Sequence, residues 1–247
     1  MQVSRSAYSN SSLVGVGVSE NIAEGRESAR GVSADKPDVT VSISSFGGRL
    51  SKAADSFVVS SSKLSHDALG DKVRGTITAL NYTLTPENIA AKSREAPTPA
   101  DAAALASAAA ANAYVADLSG PNPFAGLSRE QLSAITNDES GTFTTNERYA
   151  AYRQANDEEQ AWRSRAVAAA MEEYHRTGKL TNFFKSALDH FGELPASEQA
   201  LYPPNYAADL QDKVDLDFNY FTHMPNGQPG KADISLASLR SMIQSDG

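Results

Sequence analysis

The strongest constraint on the fold is a series of helix-start signals between residues 85 and 147. A Thr or Ser accepts a hydrogen bond from the free N–H groups of a first helical turn, and Pro fits the first helical position. Four segments carry these signals: Thr85-Pro86-Glu87, Thr98-Pro99-Ala100-Asp101, and the capping boxes Ser128 with Gln131 and Thr144 with Glu147. The sequence therefore predicts at least four helices, capped by Thr85, Thr98, Ser128 and Thr144.

Apolar residues recur at intervals of three and four over most of the chain, which is the spacing of one helix face. The segments with this pattern are 50–68, 73–84, 144–176, 184–191 and 206–221. The glycines at 70 and 75 predict a kink or a new helix between the first two stripes, and Gly178 predicts the end of the longest helix. Only DVTVSIS, residues 38–44, alternates with a period of two, which predicts a short strand or an isolated extended segment.

The first part of the chain has the composition of a disordered segment. Sixteen of the first 62 residues are Ser, and the first nineteen include no Asp or Glu. Such a segment buries too little apolar surface to offset the entropy of ordering it. A later boundary is indicated by the prolines and glycines of 120–126. We therefore predict a mainly α protein with a disordered Ser-rich tail at 1–46, a loosely packed helical region at 47–120 and a compact helical domain at 121–247.

Charge and residue usage exclude several functional classes. The chain has 22 Lys and Arg against 30 Asp and Glu, a net charge of -8, and no basic run, which opposes nucleic-acid binding. The absence of cysteine excludes disulfides, thiolate zinc sites, iron–sulfur clusters and a cysteine nucleophile. The longest early apolar run, residues 13–18, is far too short to cross a bilayer, so no membrane span is expected.

The segment TNDESGTFTTNE, residues 136–147, has the spacing of a calcium loop. A twelve-residue EF-hand loop needs oxygen ligands at alternate positions, Gly at position 6, an apolar residue at position 8 and Glu at position 12. With Gly141 at position 6, the candidate metal ligands are Asp138, Ser140, Thr142, Thr144 and Glu147. The segment resembles a calmodulin-type EF-hand loop, and the C-terminal domain is therefore predicted to contain a degenerate EF-hand-like helix–loop–helix.

Position 1 of this loop departs from the family pattern. Thr136 stands where EF-hands carry an aspartate, so only Asp138 and Glu147 supply carboxylates, and Arg148 adds a positive charge beside them. Two interpretations stay open. One is a weak calcium site of about millimolar affinity. The other is a capped turn without an ion, since the capping box alone explains Thr144 and Glu147. We expect no other cofactor.

EF-hands usually occur in pairs joined at position 8. The candidate second loop lies near the C-terminus, where Ile234 takes position 8 but Gly227 and Ser238 replace the charged ligands. We hypothesise that Phe143 and Ile234 pair across a short two-stranded contact, and that this second loop binds no metal.

The N-terminus also resembles the export signals of type III secreted proteins from plant-associated pseudomonads. Such signals are Ser-rich, lack acids at the extreme N-terminus and carry a small aliphatic residue such as Val3 early. The resemblance covers about the first 50 residues and is compositional. It implies a bacterial protein that is cytoplasmic before export and binds a secretion chaperone through its tail. The alternative is an ordinary flexible tail.

Motifs for catalysis are weak in this sequence. Glu172 and His175 have the spacing of one di-iron ligand pair, but such sites need a second pair. The leading hypothesis is therefore a non-enzymatic bacterial interaction protein with a protein partner, exported by a type III system. The first alternative is an intracellular scaffold or weak calcium-binding protein, and the second is an enzyme whose active site is assembled from distant residues.

Overall fold

The computed structural model describes residues 39–220, 224–225 and 243. The helices in these ranges are α1 Val39–Ser61, α2 His66–Leu80, α3 Pro86–Lys92, α4 Ala102–Ala116, α5 Arg129–Thr136, α6 Thr145–Thr177, α7 Thr181–Glu193, α8 Ala196–Gln199 and α9 Tyr206–Leu216. A short antiparallel pair follows, β1 Phe218–Asn219 and β2 Met224–Pro225, in which Phe218 faces Pro225. The mainly α prediction is confirmed.

Most of the predicted helix starts are confirmed, because their signals are local. The Thr85 side chain caps α3, and complete capping boxes begin α5 at Ser128 and α6 at Thr144. The longest helix, α6, ends at Gly178, whose φ of 71° places it in the left-handed region that glycine adopts without strain. Local signals therefore set both ends of the 33-residue helix on which the rest of the described fold is arranged.

The strand predicted at 38–44 is wrong, because α1 begins at Val39 and continues through Gly47 and Gly48. A period of two over seven residues is a weak signal. Each residue added to an existing helix gains a backbone hydrogen bond, so a helix anchored further along extends backwards through β-branched residues. The anchor here is the buried face of α1 that includes Arg49 and Ala53.

Two other helix boundaries differ from the prediction. The cap of α4 is Asp101, whose Oδ1 accepts from the Ala104 N–H at 2.8 Å, whereas the Thr98 N–H donates to the Gly141 carbonyl at 3.0 Å. A carboxylate is the stronger acceptor at a helix N-terminus, so the helix begins three residues later than predicted. The break between the first two helices lies at 62–65, and α2 runs uninterrupted through both of its glycines.

Two apolar clusters lie along α6. The first joins side chains of α1, α2, α4, α5 and the first half of α6, and it includes Phe124, which is 3% exposed. It therefore draws residues from both sides of segment 120–126. The second joins the later half of α6 with α7, α9 and Ile243. Trp162, near the middle of α6, is half-buried against this second cluster and stacks on His190 with ring centroids 3.7 Å apart.

None of the helices in the described ranges has the length and apolar character needed to cross a membrane. Residues 1–38, which carry most of the predicted tail and of the segment that resembles an export signal, lie outside the described residues. Residues 39–46, which the sequence assigns to the same tail, form the first turns of α1.

Candidate functional site

The EF-hand-like segment is a tight loop between α5 and α6. It includes Asn137 to Thr144, and Gly141 at its centre has a φ of +73°, which residues with a Cβ rarely adopt. The capping box then starts α6, with the Thr144 N–H donating to Glu147 Oε2 at 2.9 Å. All the predicted ligand residues thus lie on one short turn and the first helical turn after it.

Asp138 organises the backbone of the loop from within. Its Oδ1 accepts from the N–H of Ser140 at 2.8 Å and from the Ser140 hydroxyl at 2.6 Å. Its Oδ2 accepts from the N–H of Phe143 at 2.8 Å. An aspartate at position 1 normally holds loop amides in this way. Here the residue at position 3 does so, and both of its oxygens are engaged.

Arg49 from α1 lies where the two halves of the loop meet. One guanidinium nitrogen, Nη2, donates to the Thr142 carbonyl at 3.0 Å and to Glu147 Oε1 at 2.7 Å. The Thr142 carbonyl and the Glu147 carboxylate are the position-7 and position-12 groups that would ligate calcium in an EF-hand. A protein cation therefore contacts the two groups that a metal would draw together.

The Arg49–Glu147 pair is buried and supported by further contacts. Arg49 is 4% exposed and Glu147 is fully buried. The Ser107 hydroxyl of α4 donates to Glu147 Oε1 at 2.6 Å, and the guanidinium carbon lies 4.2 Å from the centroid of the Phe143 ring. We call Arg49, Thr142, Glu147 and Ser107 the arginine clasp, because together they join α1, α4 and the loop.

Thr136, the residue at position 1, is directed to other partners. Its hydroxyl donates to the Leu132 carbonyl at 2.8 Å, one turn earlier in α5. Its own carbonyl accepts from Arg148 Nε at 3.1 Å. Burial lowers the pKa of Arg148, although nearby Asp138 and Glu139 act in the opposite direction. Position 1 is therefore a helix end held by backbone contacts.

The pairing of Phe143 with Ile234 stays a prediction, because Ile234 lies outside the described residues.

Sequence reasoning missed Arg49 and Ser107, which lie 98 and 40 residues before Glu147. A signal for Arg49 exists in the sequence, since it falls on the same helical face as Phe46 and Ala53. A charged residue on an apolar stripe indicates a buried ion pair, because burial of an unpaired charge is costly. The sequence offers no comparable signal for Ser107, which lies in an alanine-rich helix.

A second charged cluster lies at the middle of α6 around Glu159, which is 6% exposed. Its carboxylate accepts from Arg163 Nε at 2.9 Å, lies 2.8 Å from His190 Nε2 and 3.3 Å from Arg129 Nη2. Burial raises the pKa of Glu159, but the hydrogen bonds and charges of His190 and Arg163 outweigh burial and lower it to about 2. Arg129 also forms a salt bridge with Glu198 of α8, in which Nε lies 2.9 Å from both carboxylate oxygens.

Comparison of the chain with protein-family models, curated proteins and solved structures gives no significant match.

Proposed function

We propose that this chain is a non-enzymatic interaction protein that binds a protein partner at the corner between α1 and α2. The observation that carries the proposal is the distribution of exposed apolar side chains. The large hydrophobic residues with high exposure in the described part of the chain are Val58, Val59, Leu64, Leu105, Leu118 and Leu216. Half of them fall within 58–64, and Val59 is 79% exposed. Exposed apolar residues concentrated in one place are typical of an interaction surface.

The arginine clasp supports this proposal by fixing α1, the helix that presents Val58 and Val59. Near the exposed end, the Ser56 hydroxyl accepts from the Glu139 N–H at 3.3 Å, and Lys72 of α2 pairs with the Glu139 side chain at 2.5 Å. A surface held in its binding conformation loses less entropy when a partner docks. In this proposal the EF-hand-like loop has a structural role, because it holds α1 and the interaction surface on it in a fixed position.

The proposal assigns Arg49 the role that calcium has in an EF-hand loop. Arg49 already supplies a positive charge to Glu147 and Thr142, and a calcium ion at the same place would have to displace a buried guanidinium. The weak calcium site predicted at Asp138, Ser140, Thr142, Thr144 and Glu147 is the less favoured alternative for this reason. Isothermal titration calorimetry with calcium distinguishes the two roles.

Export by a type III system, with a secretion chaperone on the tail, is a separate part of the proposal. It rests on the Ser-rich, acid-free composition of the N-terminus. A reporter fused to residues 1–50 tests it. Export of the reporter from wild-type cells and its retention in cells without a type III system would support the proposal, and retention in both would contradict it.

A photo-crosslinking amino acid at position 59 tests the partner surface, with the same amino acid at position 105 as the matched control. Leu105 is 47% exposed but lies near the start of α4, which contacts the opposite end of α1 through the Ser45–Asp101 hydrogen bond of 3.0 Å. We expect position 59 to capture a defined protein in the native host and position 105 not to capture it.

The captured protein is then purified and titrated against the wild type and the Val58→Ser/Val59→Ser double variant. Each buried valine contributes about 1.5 kcal/mol or more, so the loss of both, about 3 kcal/mol, should weaken binding at least about 100-fold. Equal capture at positions 59 and 105, or unchanged affinity of the double variant, would refute the proposal.

A further inference from the structure

An apolar groove of about 290 Å³ lies between the start of α7, the end of α9 and β1. We call it the α7–α9 groove, and its apolar walls are formed by Leu180, Phe184, Leu216, Phe218 and Tyr220. It is continuous with the second apolar cluster, because Leu180, Phe184 and Tyr220 belong to both. Leu216, at the end of α9, is 46% exposed. The groove shares no residue with the α1–α2 corner, so its occupant is additional to the proposed protein partner.

The chain is anchored at this groove on both sides of segment 226–242. On one side, Pro225 of β2 pairs with Phe218, which lines the groove. On the other side, Ile243 is 1% exposed and belongs to the second cluster together with Leu180 and Phe184. The intervening 17 residues therefore leave from the groove and return to the same cluster. A tether at both ends gives the segment a high effective concentration at the groove, so a modest apolar contact is enough to dock it.

The sequence that leads into Ile243 has the pattern of an amphipathic helix. Leu236, Leu239 and Ile243 have the spacing i, i+3 and i+7, which is one helix face. The eight residues of 236–243 include a single charged residue, Arg240. At a rise of 1.5 Å per residue, a helix places Leu239 about 6 Å and Leu236 about 11 Å along its axis from Ile243. With Ile243 held in the cluster, both leucines are within reach of the adjoining groove.

We propose that residues 236–243 form a short amphipathic helix that docks on the α7–α9 groove, with Leu236 and Leu239 against its apolar walls. The one charged side chain among the described residues of the wall is Lys213, whose Nζ donates to the Asp209 carbonyl at 3.1 Å. The groove therefore favours an apolar occupant. A second copy of the chain or another protein would have to bring an apolar stripe from solution, without the tether. Docking covers Leu216, so the exposed apolar residues concentrate further at the α1–α2 corner.

Engineered disulfides test the contact, because the chain has no native cysteine. Leu216→Cys is combined in turn with Leu236→Cys, Leu239→Cys, Ala237→Cys and Ser241→Cys in the full-length chain. Positions 236 and 239 face the groove in the proposed helix, whereas the control positions 237 and 241 face away from it. A disulfide needs Cβ atoms about 4 Å apart, so under mild oxidation we expect it to form at least about tenfold faster from position 236 or 239 than from either control.

A segment that does not dock would form all four disulfides at rates within about twofold, because the closed loops differ by a few residues and closure entropy changes slowly with loop length. Equal rates would therefore overturn the proposal. Disulfide-linked dimers that increase with protein concentration would place a second copy in the groove and would also overturn it. Circular dichroism verifies that each variant is folded.

Thermal unfolding supplies an independent measurement. Leu236→Ser/Leu239→Ser should lower Tm by about 5 °C or more, because two buried leucines lose their apolar contacts. Ala237→Ser/Ser241→Ala changes the opposite face of the same segment and should leave Tm within about 2 °C of the wild type. An unchanged Tm for the leucine double variant would contradict docking.

Discussion

Replacement of Arg49 by methionine tests whether the arginine clasp holds the described fold together. Methionine keeps an unbranched apolar side chain in the same place but removes the charge and the donors. Glu147, which is fully buried, loses its charged partner, and the Thr142 carbonyl loses its contact with Nη2. Glu147 keeps its hydrogen bonds from Ser107 and Thr144. Arg49→Met therefore leaves a buried carboxylate that is hydrogen-bonded but no longer paired with a charge.

The expected loss is about 3 kcal/mol in the free energy of unfolding. Removal of one partner of a buried ion pair typically costs about 3–5 kcal/mol. The lower end applies for two reasons. Glu147 keeps its neutral donors, and Arg49 Nε is itself buried with no partner among the described residues, which reduces what the native arginine contributes. For a chain of this size the loss corresponds to a decrease in Tm of about 6–12 °C.

Urea unfolding followed by circular dichroism measures this loss. The control is Arg165→Met, because Arg165 is an exposed arginine of α6 and its replacement should change stability by less than about 0.5 kcal/mol. The double variant Arg49→Met/Glu147→Gln should be more stable than the sum of the single losses predicts, by about 2 kcal/mol. A loss no larger than that of Arg165→Met, or single losses that add, would refute the clasp.

Two further predictions concern other parts of the fold. Because the pKa of Glu159 is lowered to about 2, its contribution to stability is complete above the unfolded pKa and is lost as pH falls towards 2. Between about pH 5 and pH 3 the wild type should therefore lose about 2 kcal/mol more than Glu159→Gln in urea unfolding, and parallel curves would contradict this. Gly70→Ala should destabilise the chain by about 1–3 kcal/mol, because a Cβ at Gly70 would press on the Ala200 carbonyl oxygen. In the same helix, a Cβ at Gly75 would meet open space, so Gly75→Ala should stabilise the folded chain by up to about 1 kcal/mol. Thermal unfolding should therefore give the highest Tm for Gly75→Ala, an intermediate Tm for the wild type and the lowest for Gly70→Ala.

Local chemistry explains which parts of the fold the sequence predicts. The capping boxes at Ser128 and Thr144 and the stop at Gly178 each depend on residues within one turn, and all three are confirmed. The predictions of a strand at 38–44 and of a cap at Thr98 are wrong because a stronger competing interaction determines the structure at each place. In the first case the competitor is a helix anchored further along the chain, and in the second it is Asp101, a better acceptor three residues away.

The arginine clasp shows why the candidate site is harder to predict than the fold. The loop can be recognised from Gly141, Phe143 and Glu147, because they are close in sequence. The group that neutralises Glu147 comes from α1, 98 residues earlier, and no spacing rule joins them.

The response of thermal stability to calcium tests the central claim, that Arg49 serves this loop in place of a metal. Calcium at about ten times a millimolar Kd would stabilise the folded chain by about 1.4 kcal/mol and raise Tm by about 3–6 °C. We predict that the Tm of the wild type is the same in calcium as in an equal concentration of magnesium. The Tm of Glu147→Gln should likewise be the same in the two ions. A calcium-specific rise in the wild-type Tm that Glu147→Gln abolishes would contradict the account.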